Sequence, residues 1–186
     1  MGKIKIGVVT GSFRKDSFSG KIADVLSKLF SDNYEITHIN ISDLPVFSQD
    51  YDDVGNVPPS WDRLRKEVAA QDAYLFVTPE HNRSFPAALK NALDIASRPW
   101  GKNVWAGKPA AIVSVTPGRL GAFGANHHLR QVLAFLNMQT LQQPEAYVGD
   151  VGAMFDSTGA FIDDQEAESL RGFIAAFEDL IRKVRS

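Results

Sequence analysis

Ile4-Lys5-Ile6-Gly7-Val8-Val9-Thr10-Gly11 is the stretch on which the fold turns. It is nearly all apolar and β-branched and it stops at a glycine, the pattern of a central parallel strand covered on both faces. Similar runs recur at 73–78 and 110–116, and 34–41 alternates as an edge strand does. A fifth strand is expected somewhere within 139–148. Between the strands, apolar residues return at helical spacing: Ile22, Val25, Leu26 and Leu29; then Trp61, Leu64 and Val68 behind Ser60 as N-cap; then Leu89, Ala92, Leu93 and Ala96; then Leu129, Val132, Leu133 and Leu136. A last helix carries Leu170, Phe173, Ile174, Phe177 and Ile181. Residues 42–59, with Pro45, Pro58 and Pro59, have no period, and a loop of that length is expected to be functional.

Strand and helix thus alternate five times with no internal repeat or linker. This predicts an α/β fold in one domain over residues 1–186, a doubly wound five-stranded parallel sheet in the order 2-1-3-4-5 with helices on both faces. The 186 residues suffice to bury roughly 70% of the unfolded surface. Twenty basic and 22 acidic residues give a net charge of −2, which excludes nucleic-acid binding through a general basic field. Without cysteine there is no disulfide, thiolate metal site or Cys nucleophile. The first apolar run is too short for a signal sequence or a membrane span, and Ile6 stands where a myristoylation signal needs Ser or Thr. We expect a cytoplasmic protein without a membrane partner.

In the 2-1-3-4-5 order the ligand crevice lies outside the carboxyl ends of strands 1 and 3. The segment after strand 1, from Gly11 to Lys21, contains Ser12, Arg14, Lys15, Ser17 and Ser19. Hydroxyls, an Arg fork and the amides of a helix N-terminus together make a phosphate site. It is neither a P-loop, because Gly11 and Gly20 are separated by eight residues where that motif has four, nor a G-x-G-x-x-G turn. The plainer alternative is a helix capped by Ser17 or Ser19 with Arg14 in solvent. The segment after strand 3, Thr78-Pro79-Glu80-His81-Asn82-Arg83-Ser84-Phe85-Pro86, can offer backbone groups and amides to a flat heterocycle, or can be a loop with Ser84 as N-cap and Pro86 just inside the helix. After strand 4, Thr116-Pro117-Gly118-Arg119-Leu120-Gly121-Ala122-Phe123-Gly124 has glycines that permit close approach of a ligand.

Taken together, the G-S-x-R-x-x-S residues Gly11, Ser12, Arg14 and Ser17, the P-E-x-N-x-S residues Pro79, Glu80, Asn82 and Ser84, the run Leu89-Lys90-Asn91-Ala92 and the run His128-Leu129-Arg130-Gln131 resemble the NADPH-dependent FMN reductase family of flavodoxin-like folds, particularly its chromate/quinone reductase and azoreductase branch. The resemblance implies FMN at the crevice, its phosphate on Ser12, Arg14, Ser17 and Ser19 and its ring against Pro79, Glu80, His81, Asn82 and Arg83, with Thr116 and Gly118 as further cofactor-binding residues. It implies ping-pong transfer, in which NADPH or NADH passes hydride to the flavin N5 and a quinone, azo dye, free flavin or metal oxyanion such as chromate then takes the electrons. No side chain need act as catalytic acid or base. The family's homodimers or homotetramers place flavin sites near subunit interfaces, which Trp100, Trp105 and Phe123 would suit. His81, Arg83 and Ser19 depart from the Tyr, aromatic and Asn usual in the family.

Arg83 and Arg98 are candidate substrate residues, as a positive rim on the crevice, and Arg119 would add to that rim. Glu80 and His81 are adjacent, and neighbouring loop residues more often face apart, so we read Glu80 as an acceptor for backbone rather than half of an acid/base pair. His127 and His128 point about 100° apart on a helix and suit no shared metal. Asp52 and Asp53 read as a solvated turn. An alternative function is a flavodoxin-type electron carrier without substrate turnover, although such carriers are strongly acidic; a receiver-type signalling domain would need an acidic pair where Gly11 and Ser12 stand.

Overall fold

The computed structural model describes residues 2–185; the predicted extent of 1–186 includes Met1 and Ser186, which lie outside the described residues. The chain runs β1 (Ile4–Thr10), α1 (Phe18–Ser27), β2 (Tyr34–His38), α2 (Asp50–Asp53), α3 (Pro59–Ala69), β3 (Ala73–Thr78), α4 (Ala87–Ala96), β4 (Pro109–Val115), α5 (Phe123–Phe135), β5 (Gln139–Thr140), β6 (Ala146–Val148), a short 3-10 turn and α6 (Asp164–Arg185). All strands are parallel, in the order β2-β1-β3-β4-β5, with β6 also paired to β4. This is the predicted doubly wound, flavodoxin-like sheet.

The central strands are apolar throughout because both of their faces are covered. Along β3, Tyr74 and Phe76 enter the layer formed with α3, α4 and α5, while Leu75 and Val77 enter the layer of α1 and α6. Gly7 pairs with Tyr74, and a Cβ at Gly7 would lie 2.6 Å from the tyrosine ring. Glycine there is what lets Tyr74 lie across β1. Its hydroxyl donates to the Val68 carbonyl, satisfying the only polar atom of a buried ring.

Several local expectations need correction. Ser60 is not the cap of α3, because Pro59 begins the helix; Pro suits the first position, where its missing N–H would have no helical partner. Similarly, α4 follows Pro86, and Ser84 is left to pair with His81 across a turn. The second strand ends at His38. The fifth is split into β5 and β6. Pro144, which has no amide to donate, lies in the break. Trp105 is fully buried, its indole N–H donating to the Leu93 carbonyl at 3.1 Å, so it serves the core and not an interface.

Residues 42–59 are anchored and include the short α2. The Asn91 side chain accepts from the Phe47 amide (2.8 Å) and donates to the Pro45 carbonyl (3.0 Å), and Trp61 Nε1 donates to the same carbonyl. Phe47 stacks on Trp61 and Tyr51 meets its edge. Asp52 is not solvated: both carboxylate oxygens accept from Arg65 at 2.8 Å, with only 7% of the Asp52 side chain and 13% of the Arg65 side chain exposed. Arg65 Nε also donates to the Ile95 carbonyl, joining this loop to α4.

Breaking a buried ion pair leaves an uncompensated charge and costs about 3 to 5 kcal/mol. Arg65→Ala is therefore expected to lower the unfolding free energy by about 3 kcal/mol in urea denaturation. A change within the scatter of surface substitutions would show that the pair does not hold the loop.

Candidate functional site

The loops after β1, β3 and β4 emerge side by side because Thr10 pairs with Val77 and Thr78 pairs with Ser114. Gly11 donates to the Val77 carbonyl at 2.9 Å. A Cβ on Gly11 would lie 3.1 Å from Thr78 Oγ1, 3.2 Å from Pro79 Cδ and 3.3 Å from Pro86 Cδ. The bare glycine thus lets the first two loops meet in van der Waals contact.

In the first loop Ser17 is the N-cap of α1, its hydroxyl accepting from the Gly20 amide at 3.3 Å and lying 3.2 Å from the hydroxyl of buried Ser19. This leaves the Phe18 and Ser19 amides as the helix's orphan donors. Ser12 Oγ accepts from the Arg14 amide at 3.5 Å, and the Arg14 and Lys15 side chains are exposed. Capping and anion binding are compatible here. Hydroxyls, orphan amides and a guanidinium with no ion-pair partner among the described residues form a donor set that fits a phosphate.

The second loop makes a two-residue turn between His81 and Ser84, which exchange backbone hydrogen bonds of 2.8 and 3.0 Å. Asn82 and Arg83 both have positive φ, 51° and 68°. Glu80 Oε2 accepts from the Ala125 amide in the first turn of α5 at 3.2 Å, and Oε1 accepts from Arg83 at 3.3 Å. Both of its oxygens thus have protein donors, including the backbone donor expected for it. Ser84 Oγ lies 3.0 Å from His128 Nδ1. Beside the turn, a cavity of about 650 Å³ opens between α4 and α5, lined by His81, Asn82, Ser84, Lys90, His128 and Gln131.

In the third loop Thr116 Oγ1 accepts from the Gly118 amide at 3.3 Å, and a Cβ on Gly118 would meet Thr116 Oγ1 in ordinary contact at 3.8 Å. Gly121 and Gly124 serve contacts within the protein, contrary to the expectation of ligand approach. A Cβ on Gly121 would lie 2.6 Å from the Tyr147 backbone, and one on Gly124 would lie 2.7 Å from the Arg83 carbonyl oxygen. The sequence carried the glycines but not what approaches them.

Ser12, Arg14, Ser17, Ser19, Pro79 to Arg83, Thr116 and Gly118 therefore lie along one sheet edge. Arg98 does not. It follows the end of α4, one helix length of about 15 Å from that edge, and its guanidinium lies 5.2 Å from the exposed Trp100 ring. The exposed Arg119 lies 3.9 Å from Asp150. His127 and His128 diverge, His127 Nε2 lying 2.9 Å from the Tyr147 hydroxyl and His128 turning to Ser84. Sequence reasoning missed the cluster of Phe123, His127 and Tyr147 beside this edge, because 146–148 reads as an ordinary short strand.

A family model described as NADPH-dependent FMN reductase matches residues 4–152. The chain is 44% identical over 182 residues to a quinone reductase of Pseudomonas putida, covering 97% of this chain and 96% of that protein. It is 39% identical over 182 residues to a 2-hydroxy-1,4-benzoquinone reductase of a Burkholderia species, with 98% of each covered. Among solved structures it resembles the flavoenzyme NAD(P)H:(acceptor) oxidoreductase FerB of Paracoccus denitrificans, with TM-score 0.90, 38% identity and coverage of 97% of this chain and 98% of that one.

Burial, followed by the hydrogen bond and charge of Glu145, raises the Tyr147 phenol from 10.0 to about 12, with Arg130 opposing. The folded state thus holds this proton more tightly than the unfolded chain does. The resulting stability is complete below pH 10 and is lost as pH rises from 10 towards 12. Tyr147→Phe is expected to show a shallower fall in Tm than wild type across that interval in thermal melts; identical slopes would remove Tyr147 as the cause.

Proposed function

The chain belongs to the NADPH-dependent FMN reductase family, and from that membership we propose that it is an NAD(P)H:quinone oxidoreductase that uses its whole length as one FMN-binding unit. The observation that carries this reading is the meeting of a hydroxyl-rich, cationic loop with a polar turn across Gly11, at the point where strand order reverses. FMN, when bound, supplies the electron-carrying group, taking hydride from reduced nicotinamide and passing electrons to the oxidant.

The residues of the chain bind and orient. Ser12, Arg14, Ser17 and Ser19, with the amides opening α1, hold the phosphate. The backbone of residues 79–83 faces the ring, and Thr116 and Gly118 close the third side. The cavity between α4 and α5 is large enough for a planar aromatic substrate, and His81, Asn82, His128 and Gln131 offer hydrogen bonds to quinone oxygens. Quinones are the favoured oxidants because two relatives that match along nearly their whole length are a quinone reductase and a 2-hydroxy-1,4-benzoquinone reductase. Azo dyes, free flavins and chromate belong to the same proposal as further oxidants. Arg83, with 75% of its side chain exposed, is the rim residue suited to an anionic one. Self-association would cover the exposed Trp100 and Phe135 beside a hollow of about 310 Å³, and Phe123 is half exposed near the crevice.

The direct test is the visible spectrum of the purified protein with and without NAD(P)H, followed by quinone-dependent NAD(P)H oxidation. A yellow protein bleached by NAD(P)H and restored by quinone is expected. A protein that gains no flavin absorbance when FMN is added would overturn the reading, and one that binds FMN but turns over no oxidant would be an electron carrier. Because the two substrates share one crevice mouth, initial-rate lines at several fixed quinone concentrations are expected to be parallel; intersecting lines count against the shared mouth. A charge-assisted hydrogen bond contributes about 1.5 to 3 kcal/mol, so Arg14→Ala is expected to weaken FMN binding roughly tenfold to a hundredfold. Riboflavin, which lacks the phosphate, is expected to bind wild type poorly, and equal affinity for the two flavins would rule out the phosphate clamp.

A further inference from the structure

Two consecutive residues other than glycine in the left-handed region are unusual, and the two are not equivalent. Asn tolerates that conformation; for Arg it is unfavourable. Turns of this shape prefer glycine at the second central position, where Arg83 stands. The turn between His81 and Ser84 therefore does not choose its conformation unaided.

What surrounds it supplies the missing constraint. Helix α5 begins from Ala122, itself left-handed (φ 58°), and no side chain at that position caps it. Its Ala125 amide is instead taken by Glu80 Oε2, a cap brought from another loop, while Glu80 Oε1 reaches Arg83. Gly124 admits the turn, since a Cβ there would lie 2.7 Å from the Arg83 carbonyl oxygen and 3.0 Å from Glu80 Oε2. The Glu80 side chain is 15% exposed, so its contacts are little diluted by water. On the far side of the turn, Ser84 meets His128 of the same helix.

We propose that Glu80 is a positioning residue that locks the turn of the β3 loop onto α5, and that this lock holds Asn82 and Arg83 in the left-handed conformation with which the turn faces the flavin. The inference rests on the reading of this edge as an FMN site. Without Glu80 the Ala125 amide loses its acceptor and Arg83 is free to relax to negative φ, turning the peptide groups on either side of it. The effect on FMN binding then runs through the backbone shape of residues 82 and 83, not through any contact between Glu80 and the cofactor.

The test compares FMN affinity with the thermal midpoint of the flavin-free protein in wild type, Glu80→Ala, Glu80→Gln and the double variant Glu80→Ala/Arg83→Gly. Glu80→Ala is expected to bind FMN roughly tenfold more weakly and to melt earlier. Glu80→Gln keeps a carbonyl acceptor for the Ala125 amide and is expected to retain most of the affinity. Glycine adopts positive φ without the Cβ penalty, so the double variant is expected to recover FMN affinity while its melting point stays low, because α5 remains uncapped. A role confined to capping predicts instead that affinity and midpoint fall together and that Arg83→Gly restores neither, which would overturn the lock. If Glu80→Ala does not fold, Glu80→Asp, one methylene too short to span both partners, replaces it in the same comparison. Wild type binding FMN no more tightly than Glu80→Ala overturns the lock alone, whereas wild type binding no FMN overturns the FMN reading and the lock with it.

Discussion

How closely β1 can lie against β3 governs everything at the carboxyl edge. Two glycines govern that approach, Gly7 at the middle of β1 and Gly11 just past its carboxyl end. Gly7 makes room for the ring of Tyr74, which packs against Trp105 and Phe76 and donates to α3. Gly11 then lets the chain leave the sheet in contact with Thr78, Pro79 and Pro86. A side chain at Gly7 would displace a buried aromatic around which α3, α4 and α5 are packed. One at Gly11 would press directly on the neighbouring loop. The first position protects the layer and the second the crevice.

The loops that form the crevice carry few apolar anchors of their own and borrow order from the helices. The first is fastened by the capping of α1, the second by α5, and the third by the segment around Tyr147, where Gly121 packs on backbone and Gly149 faces the Arg119 carbonyl oxygen. The long segment 42–59 follows the same rule, hung on α3 through Trp61 and Arg65 and on α4 through Asn91. Phe13 of the first loop faces that segment across a hollow of about 480 Å³ that also includes Leu44, Val46 and Phe47. Contacts with the helices, and for the third loop with the segment around Tyr147, thus shape surfaces that the helices themselves do not form.

Elements that are buried on both sides were legible in the sequence because nothing but the sheet and its helices determines them. β1, β3 and β4, the stripes of the helices, and the strand order all follow from apolar periodicity and the habit of βαβ units. The first two loops were legible because residue type and position coincide there: hydroxyls and cations at a helix start, polar turn formers after a strand. What escaped depends on contacts between distant residues. Asp52 looks like a surface turn until Arg65, thirteen positions later, closes on it. Trp105 looks like surplus surface until its indole finds the end of α4. Arg98 shares its charge with Arg83 but lies a helix length away, which spacing alone does not reveal without the direction of α4. Glycines in the third loop announced a close approach without saying that Tyr147 and Arg83 make it.

The three tryptophans occupy three different settings, and this gives the protein built-in optical reporters. Trp61 is buried and tied by its indole N–H to Pro45, within the long segment it covers. Trp105 is buried in the layer between sheet and helices, bonded to α4. Trp100 is 82% exposed beside a guanidinium. By its exposure Trp100 is expected to emit to the red and to be open to a soluble quencher, and the two buried tryptophans to emit to the blue and be shielded. Within the shielded pair, Trp61 responds when segment 42–59 is displaced, whereas Trp105 keeps its surroundings until the core itself opens. Fluorescence can therefore separate loosening of the segment near the crevice from unfolding of the protein, with no label added.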